Sequence, residues 1–272
     1  MTRTPPGSTE SSSSDERLGR YTLLERLGET ATIVSHRARV EGPEGFERIC
    51  AIDRVRLDAP QDPDIIAAFV ARAKLASRLH HPNLVEVHDF TQIDGHHLVA
   101  REYVDGLNLG HLLSAFEALG ASPSPGLALY VTGELCRALS YLQGMTDAAG
   151  APTPVTHGNI VPGSILLGHQ GSVKLTNFRV DSEGPADDLG DVARLCHALI
   201  LGRLPAADEA DALAGVPPGL AVVLRRAMAG QLDPDGLQEG LLDYSFDAGV
   251  RVSDRALIDA MQRHRPSGGP AP

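Results

Sequence analysis

The stretch PVTHGNIVPGSILL, residues 154–167, has the hydrophobic rhythm of a catalytic loop running into a short strand. Proton transfer in such a loop needs a carboxylate, and where it would stand the chain carries Asn159. An amide takes up no proton at neutral pH and can only donate and accept hydrogen bonds. The cysteines, Cys50, Cys136 and Cys196, each sit inside an apolar segment without CxxC spacing and read as buried, reduced thiols. His80-His81 and His96-His97 are adjacent pairs whose members point in different directions on a helix or a strand, so no metal site is expected from them. Lys74 and Lys174 are the only lysines.

The elements that must position these residues fit into 272 residues of which 42% are apolar, enough for one large core or two small lobes. A formal net charge of −11 argues against a nucleic-acid backbone or an anionic membrane as the main partner. No apolar run is long enough to span a bilayer and the first residues lack the pattern of a secretion signal, so a cytoplasmic location is expected. The Ser/Pro-rich residues 1–17 and the tail 266–272 read as disordered, which leaves a folded part over 18–265.

From Tyr21 the pattern is that of strands: YTLLERLG, TIVSHRARV, a turn at EGPEGFE, then RICAIDRV. DPDIIAAFVARAKLASRLHHPN predicts an amphipathic helix with Ile65, Ile66, Phe69, Ala73, Ala76 and Leu79 on one stripe. LVEVHDFTQ and HHLVAREYV predict two more strands joined at Asp94-Gly95. After residue 104 the reading turns helical, over LGHLLSAFEAL, GLALYVTGELCRALSYLQ, DDLGDVARLCHALILG, GLAVVLRRAMAG and RALIDAMQRH, interrupted by short strands at SILLG and SVKLT. Leu241, Leu242, Tyr244 and Phe246 in GLLDYSFDAG read either as a contact surface or as a final packed turn.

This order of segments resembles the protein kinase-like superfamily, nearest in look to a degenerate bacterial eukaryotic-like Ser/Thr kinase. ERLGE resembles its glycine-rich loop, GFERICAIDRV the strand carrying its lysine, and LASRLHHPNLVEVHDF its regulatory helix and exit. EYVDGLNL resembles the hinge, HGNIVPGSILL the catalytic loop, VKLTNF the metal-binding strand, and DDLGDVARLCHALILGRLP the central helix. The resemblance implies an α+β bilobal fold: an N-terminal antiparallel sheet plus one helix over 18–104, and a reduced, mainly helical C-lobe over 105–265.

Kinase chemistry positions a nucleotide with a lysine, a glutamate that orients it, an aspartate at the acceptor hydroxyl, and an Asn and an Asp on magnesium. Carried over by motif, those positions hold Asp53, Arg72, Asn159, Ser164 and Asn177. A carboxylate at Asp53 would repel phosphate oxygens about 4 Å away by roughly 1 kcal/mol in water and roughly 4 at an effective dielectric of 20. Ser164 and Asn177 offer neutral oxygens to a hard cation that usually takes a carboxylate. Gly28 remains, but Thr30 and Ile33 stand where further glycines fall, which reads as an ordinary hairpin turn. Neither lysine is placed to replace the missing one, and an isolated Asp181 reads as solvated. The pocket implied by Gly28, Ala51, Arg101 and Leu166 is therefore degenerate. No cofactor or metal is expected, with ATP and magnesium binding weak or absent.

Reversed signs at Asp53 and Arg72 suggest an inverted ion pair, with Arg101 as the rival partner of Asp53. His157, Phe178, Ala51 and Leu166 match packing positions of the family, and Asp188 matches an anchor of the catalytic loop. Eleven positions separate Asn177 from Asp188, too few for a long activation segment. The sequence alone thus predicts a pseudokinase, not an enzyme, that binds and regulates another protein. The alternative is a Ser/Thr protein kinase or other ATP-dependent transferase with an atypical residue set.

Overall fold

Short runs rich in apolar and β-branched residues build the first sheet, seen in a computed structural model that describes residues 16–56, 63–179, 186–205 and 213–263. Its strands are β1 (Arg17–Leu18), β2 (Tyr21–Glu29), β3 (Ile33–Glu41), β4 (Glu47–Val55), β5 (Val87–Ile93) and β6 (His96–Arg101), in the order β1-β2-β3-β4-β6-β5. The pairings β1 to β2, β2 to β3, β3 to β4 and β4 to β6 are all antiparallel. Asp94 and Gly95 both take positive φ, 51° and 83°, which lets two residues turn β5 into β6. One face of the sheet buries Leu18, Tyr21, Leu23, Ala38, Cys50, Ile52, Leu98 and Ala100.

Between β4 and β5 lies α1 (Pro63–Ala76), and the chain divides into two compact units within that helix: residues 1–66 with 88–103, and residues 67–87 with 104–272. The helix assigned from sequence to the first lobe therefore gives its residues 67–76 to the second unit. That unit holds β7 (Gly106–Asn108), α2 (Leu109–Ala118), α3 (Pro125–Gln143), β8 (Ile165–Gly168), β9 (Val173–Leu175), α4 (Asp188–Leu201), α5 (Pro218–Met228), α6 (Pro234–Asp247) and α7 (Asp254–Arg263). Its core forms around α3, where Leu127, Val131, Leu135, Ala138 and Leu142 are almost wholly buried along the expected stripe. The strands β7, β8 and β9 form a small antiparallel sheet that carries the loop before β8.

Three differences from the sequence reading stand out. Arg17, placed in a disordered segment, pairs with Thr22 in β1; residues 1–15 and 264–272 lie outside the described residues. The three-residue strand β7 was not expected. GLLDYSFD, the first eight residues of GLLDYSFDAG, ends a helix, α6, whose start is set by Pro234 in the first turn and by Asp233 Oδ accepting the Gly236 N–H. All three cysteines are buried free thiols. No described helix is long and apolar enough to cross a membrane.

Candidate functional site

The register of β3, β4 and β6 decides what surrounds Asp53. Ser35 lies directly opposite it on β3, Val99 directly opposite on β6, and Arg101 two residues further along β6 on the same face. The Asp53 carboxylate receives Arg101 through two bonds, Nε to Oδ2 at 2.7 Å and Nη2 to Oδ1 at 3.2 Å, and the Ser35 hydroxyl at 2.5 Å. The side chains of Arg101 and Asp53 are only 12% and 15% exposed, so this is a largely desolvated bidentate pair. Arg101 is thus the partner that forms. Arg72, the other partner weighed from sequence, belongs to the second unit and makes no ion pair among the described residues; its Nε is buried without a hydrogen-bond partner.

Ala51 lies opposite both Arg37 and Arg101 and is fully buried. Arg37 sits over the Tyr103 ring at 5.4 Å and reaches Glu25 at 3.2 Å. Ser35 and Arg37 were absent from the sequence reading, although strand alternation through Ser35, Arg37 and Arg39 places them on the Asp53 face. The β2 to β3 turn closes on itself: Thr30 N–H donates to the Ile33 carbonyl at 2.8 Å, and the Thr30 hydroxyl accepts the Ile33 N–H at 3.0 Å. A Cβ on Gly28 would meet nothing within 4 Å, so no close backbone approach requires a glycine there.

In the second unit the loop before β8 is tied down residue by residue. Both carboxylate oxygens of Asp188, the first residue of α4, accept backbone N–H groups, from His157 at 2.7 Å and Gly158 at 2.8 Å. His157 is fully buried, donates from Nε2 to the Thr176 carbonyl at 3.1 Å, and packs on the Phe178 ring at 4.4 Å between centroids. Its Nδ1 accepts the Asn159 N–H at 3.3 Å, which fixes the tautomer. Asn159 donates from Nδ2 to the Asn177 carbonyl at 2.9 Å. Asn177 itself takes a left-handed φ of 63°, a conformation asparagine tolerates better than most residues. Gly158 has φ of 71°, which favours glycine, and a Cβ there would come within 3.1 Å of Arg179 Nε, so that side chain would have to shift by a few tenths of an ångström. The Gly158 and Arg179 contact was not anticipated.

The remaining predicted residues are spread more widely. The Ser164 hydroxyl is buried, accepts the Val161 N–H at 3.1 Å and lies 2.7 and 2.8 Å from the carbonyls of Asn159 and Val161. It closes the turn into β8. Leu166 is half-buried on β8 opposite Lys174, and Lys74 is exposed on α1. Asp181 and most of the Asn177 to Asp188 segment lie outside the described residues. Among the described residues no group of three or more His, Cys, Asp or Glu side chains is arranged to hold a metal ion.

Burial pushes the His157 imidazole down from 6.5 to about 4, against the smaller opposing effect of its bond to Thr176. The unfolded chain therefore binds a proton that the native state refuses between pH 6.5 and 4, and the contribution of His157 to stability is complete above 6.5 and lost as pH falls. Burial pushes the Asp188 carboxyl up, with its two N–H bonds pulling the other way, so Asp188 works in the opposite direction and offsets part of the loss. Denaturation by urea at stepped pH is expected to show His157 withdrawing up to about 3 kcal/mol by pH 4, and His157→Gln is expected to flatten that part of the profile.

With this geometry in hand, residues 22–192 match the family model described as protein tyrosine and serine/threonine kinase. The chain belongs to this family. Among curated protein kinases, the chain is 31% identical over 163 residues to the tyrosine-protein kinase MasK of Myxococcus xanthus, covering 60% of this chain and 25% of MasK. It is 29% identical over 135 residues to the serine/threonine-protein kinase PrkC of Bacillus subtilis, covering 50% of this chain and 19% of PrkC. The matched region thus spans a quarter or less of either relative's length. The kinase fold is seen directly in the crystal structure of the Mycobacterium tuberculosis PknI kinase domain, with a TM-score of 0.63 at 23% identity over 87% of this chain and 99% of that one.

The expectation that the chain is not an enzyme is overturned by these findings, since the family and the relatives that match it are named as protein kinases. Its physical premise also changes. Asp53 is not a bare carboxylate, because Arg101 and Ser35 neutralise and hydrogen-bond it.

Proposed function

We propose that this protein kinase domain transfers a phosphoryl group to a protein serine or threonine with an atypical residue set. The observation that carries the reading is the intact frame around Asn159: Asp188 holding two loop amides, His157 holding Thr176, and Asn159 holding Asn177. Phosphoryl transfer passes through a loose transition state, so positioning and charge stabilisation matter more than a strong base. Asn159 would orient the acceptor hydroxyl by hydrogen bonding without taking its proton, which passes to a non-bridging oxygen of the transferred phosphoryl group as the bond to ADP breaks.

Kinases ordinarily use ATP with magnesium. Ser164, whose hydroxyl is engaged in its own loop, and the neutral Asn177 do not fit that ion, so no step is assigned to it. Nucleotide binding is correspondingly weak, and each missing charge contact lowers the rate by about 10²–10³. Transfer of the labelled γ-phosphoryl of ATP to dephosphorylated casein tests the reading, alongside calorimetry with ATP with and without magnesium. Asn159→Asp is expected to raise transfer by about 10²–10⁴. No transfer by either protein, and no heat at millimolar ATP, would remove the proposal.

A second reading, a regulatory module that binds another protein, is favoured by the Asp53, Arg101 and Ser35 cluster, which satisfies itself without a ligand. The partner on this reading is a protein, not a nucleic acid or a membrane, in keeping with the charge of −11, and meets the domain in the cytoplasm. Partner binding that survives substitution of Asp53 and Arg101 would support it.

A further inference from the structure

The outer face of α6 carries two ridges that nothing in the kinase reading uses. Asp235, Glu239, Asp243 and Asp247 follow one another at four-residue spacing and are all exposed. Side chains so spaced are neighbours on a helix, and each like-charged pair destabilises it by about 0.2–0.5 kcal/mol. None of the four has an ion-pair partner among the described residues, and the last turn of α6 carries no base to answer the negative end of its dipole. Beside this ridge Leu242 and Phe246, again four apart, are 53% and 87% exposed, while Leu241 and Leu237 on the other side are buried. Leu242 and Phe246 line a groove of about 660 Å³ with Asp243, Gly249, Val250 and Arg251.

We infer that this face is a docking surface for a basic segment of a partner protein, which lays an apolar side chain against Phe246 and Leu242 and sets lysines or arginines along the four carboxylates. Four carboxylates against the groove's one arginine, Arg251, leave the face acidic, and charge complementarity selects that occupant. A second copy of this chain meeting it about a two-fold axis would set the acidic ridge against itself. Residues 1–15, with Arg3 against Glu10 and Asp15, and residues 264–272, with Arg265 as their one arginine, do not supply a basic segment either. An exposed phenylalanine beside unpaired charge matches the anchor-and-rim anatomy of protein interfaces.

The test uses the full chain and a fluorescein-labelled peptide of 14 residues, the length of α6, with Lys at four-residue spacing and Leu and Phe on the adjacent ridge. Two companion peptides replace its lysines by Glu or its Leu and Phe by Ser. Fluorescence anisotropy is expected to show binding of the first peptide alone, weakened at least about tenfold by Phe246→Ala and by the pair Asp243→Lys and Asp247→Lys, both on the exposed face. Equal binding of the Ser-substituted peptide would reduce the effect to diffuse charge attraction and overturn the inference, as would unchanged binding by Phe246→Ala or no binding of the basic peptide. Self-association in sedimentation that Phe246→Ala abolishes would assign the face to a second copy and overturn it equally.

Discussion

Asp53→Leu is expected to destabilise the first unit by on the order of 3–5 kcal/mol. The loss comes from what is left behind. Arg101, its side chain 12% exposed, keeps its charge in a desolvated position with neither carboxylate oxygen to meet it, and the Ser35 hydroxyl loses its acceptor. Arg101→Met should cost a comparable amount by stranding Asp53. The pair Asp53→Leu with Arg101→Met, in contrast, should lie near the wild type, because removing both charges together also removes their desolvation penalty. Urea denaturation of the four proteins closes the double-mutant cycle. Additive losses in the double variant would mean that the two side chains do not act as a pair.

Asp188→Ala should cost about 2–6 kcal/mol, since it strands two backbone N–H groups, of His157 and Gly158, each worth about 1–3 when buried without an acceptor. The consequence reaches beyond stability. Those amides fix the turn in which Gly158 holds φ of 71° and Asn159 reaches the Asn177 carbonyl, so on the proposed kinase reading phosphoryl transfer should fall along with the denaturation midpoint. Asp188→Asn keeps one acceptor oxygen and should lose roughly half as much. Hydrogen exchange at the His157 and Gly158 amides reads the local opening directly. Unchanged exchange there in Asp188→Ala would show that the loop is held by other contacts.

Much of the fold could be read in advance because hydrophobic period survives in any environment. The stripe on α3 marked the buried face of that helix, and the apolar run Cys50-Ala51-Ile52 marked the buried centre of β4. Helix α6 was harder, since only Pro234, Leu237 and Leu241 are buried along its 14 residues and its acidic ridge dilutes the pattern. Its Asp233-Pro234 start was the usable signal, a capping side chain followed by a residue with fixed φ. Ser35 and Arg37 went unnoticed for a different reason. Polar residues on a strand take meaning only once a neighbouring strand and its register are known.

The sequence by itself determined the family frame. The ordered segments, the HGN and TNF triplets and the acid opening α4 are all local in the chain, and local patterns are visible without coordinates. Tertiary structure alone decided the partners. A string of letters favours Arg72 over Arg101 as the cation for Asp53, and that choice is reversed by the pairing of β4 with β6, which sets Arg101 two residues from the position opposite Asp53 on one face. It likewise decided that Leu241 is core while Leu242 and Phe246 stand in solvent, because one step along a helix turns a side chain by about 100° and only packing settles which direction is inward.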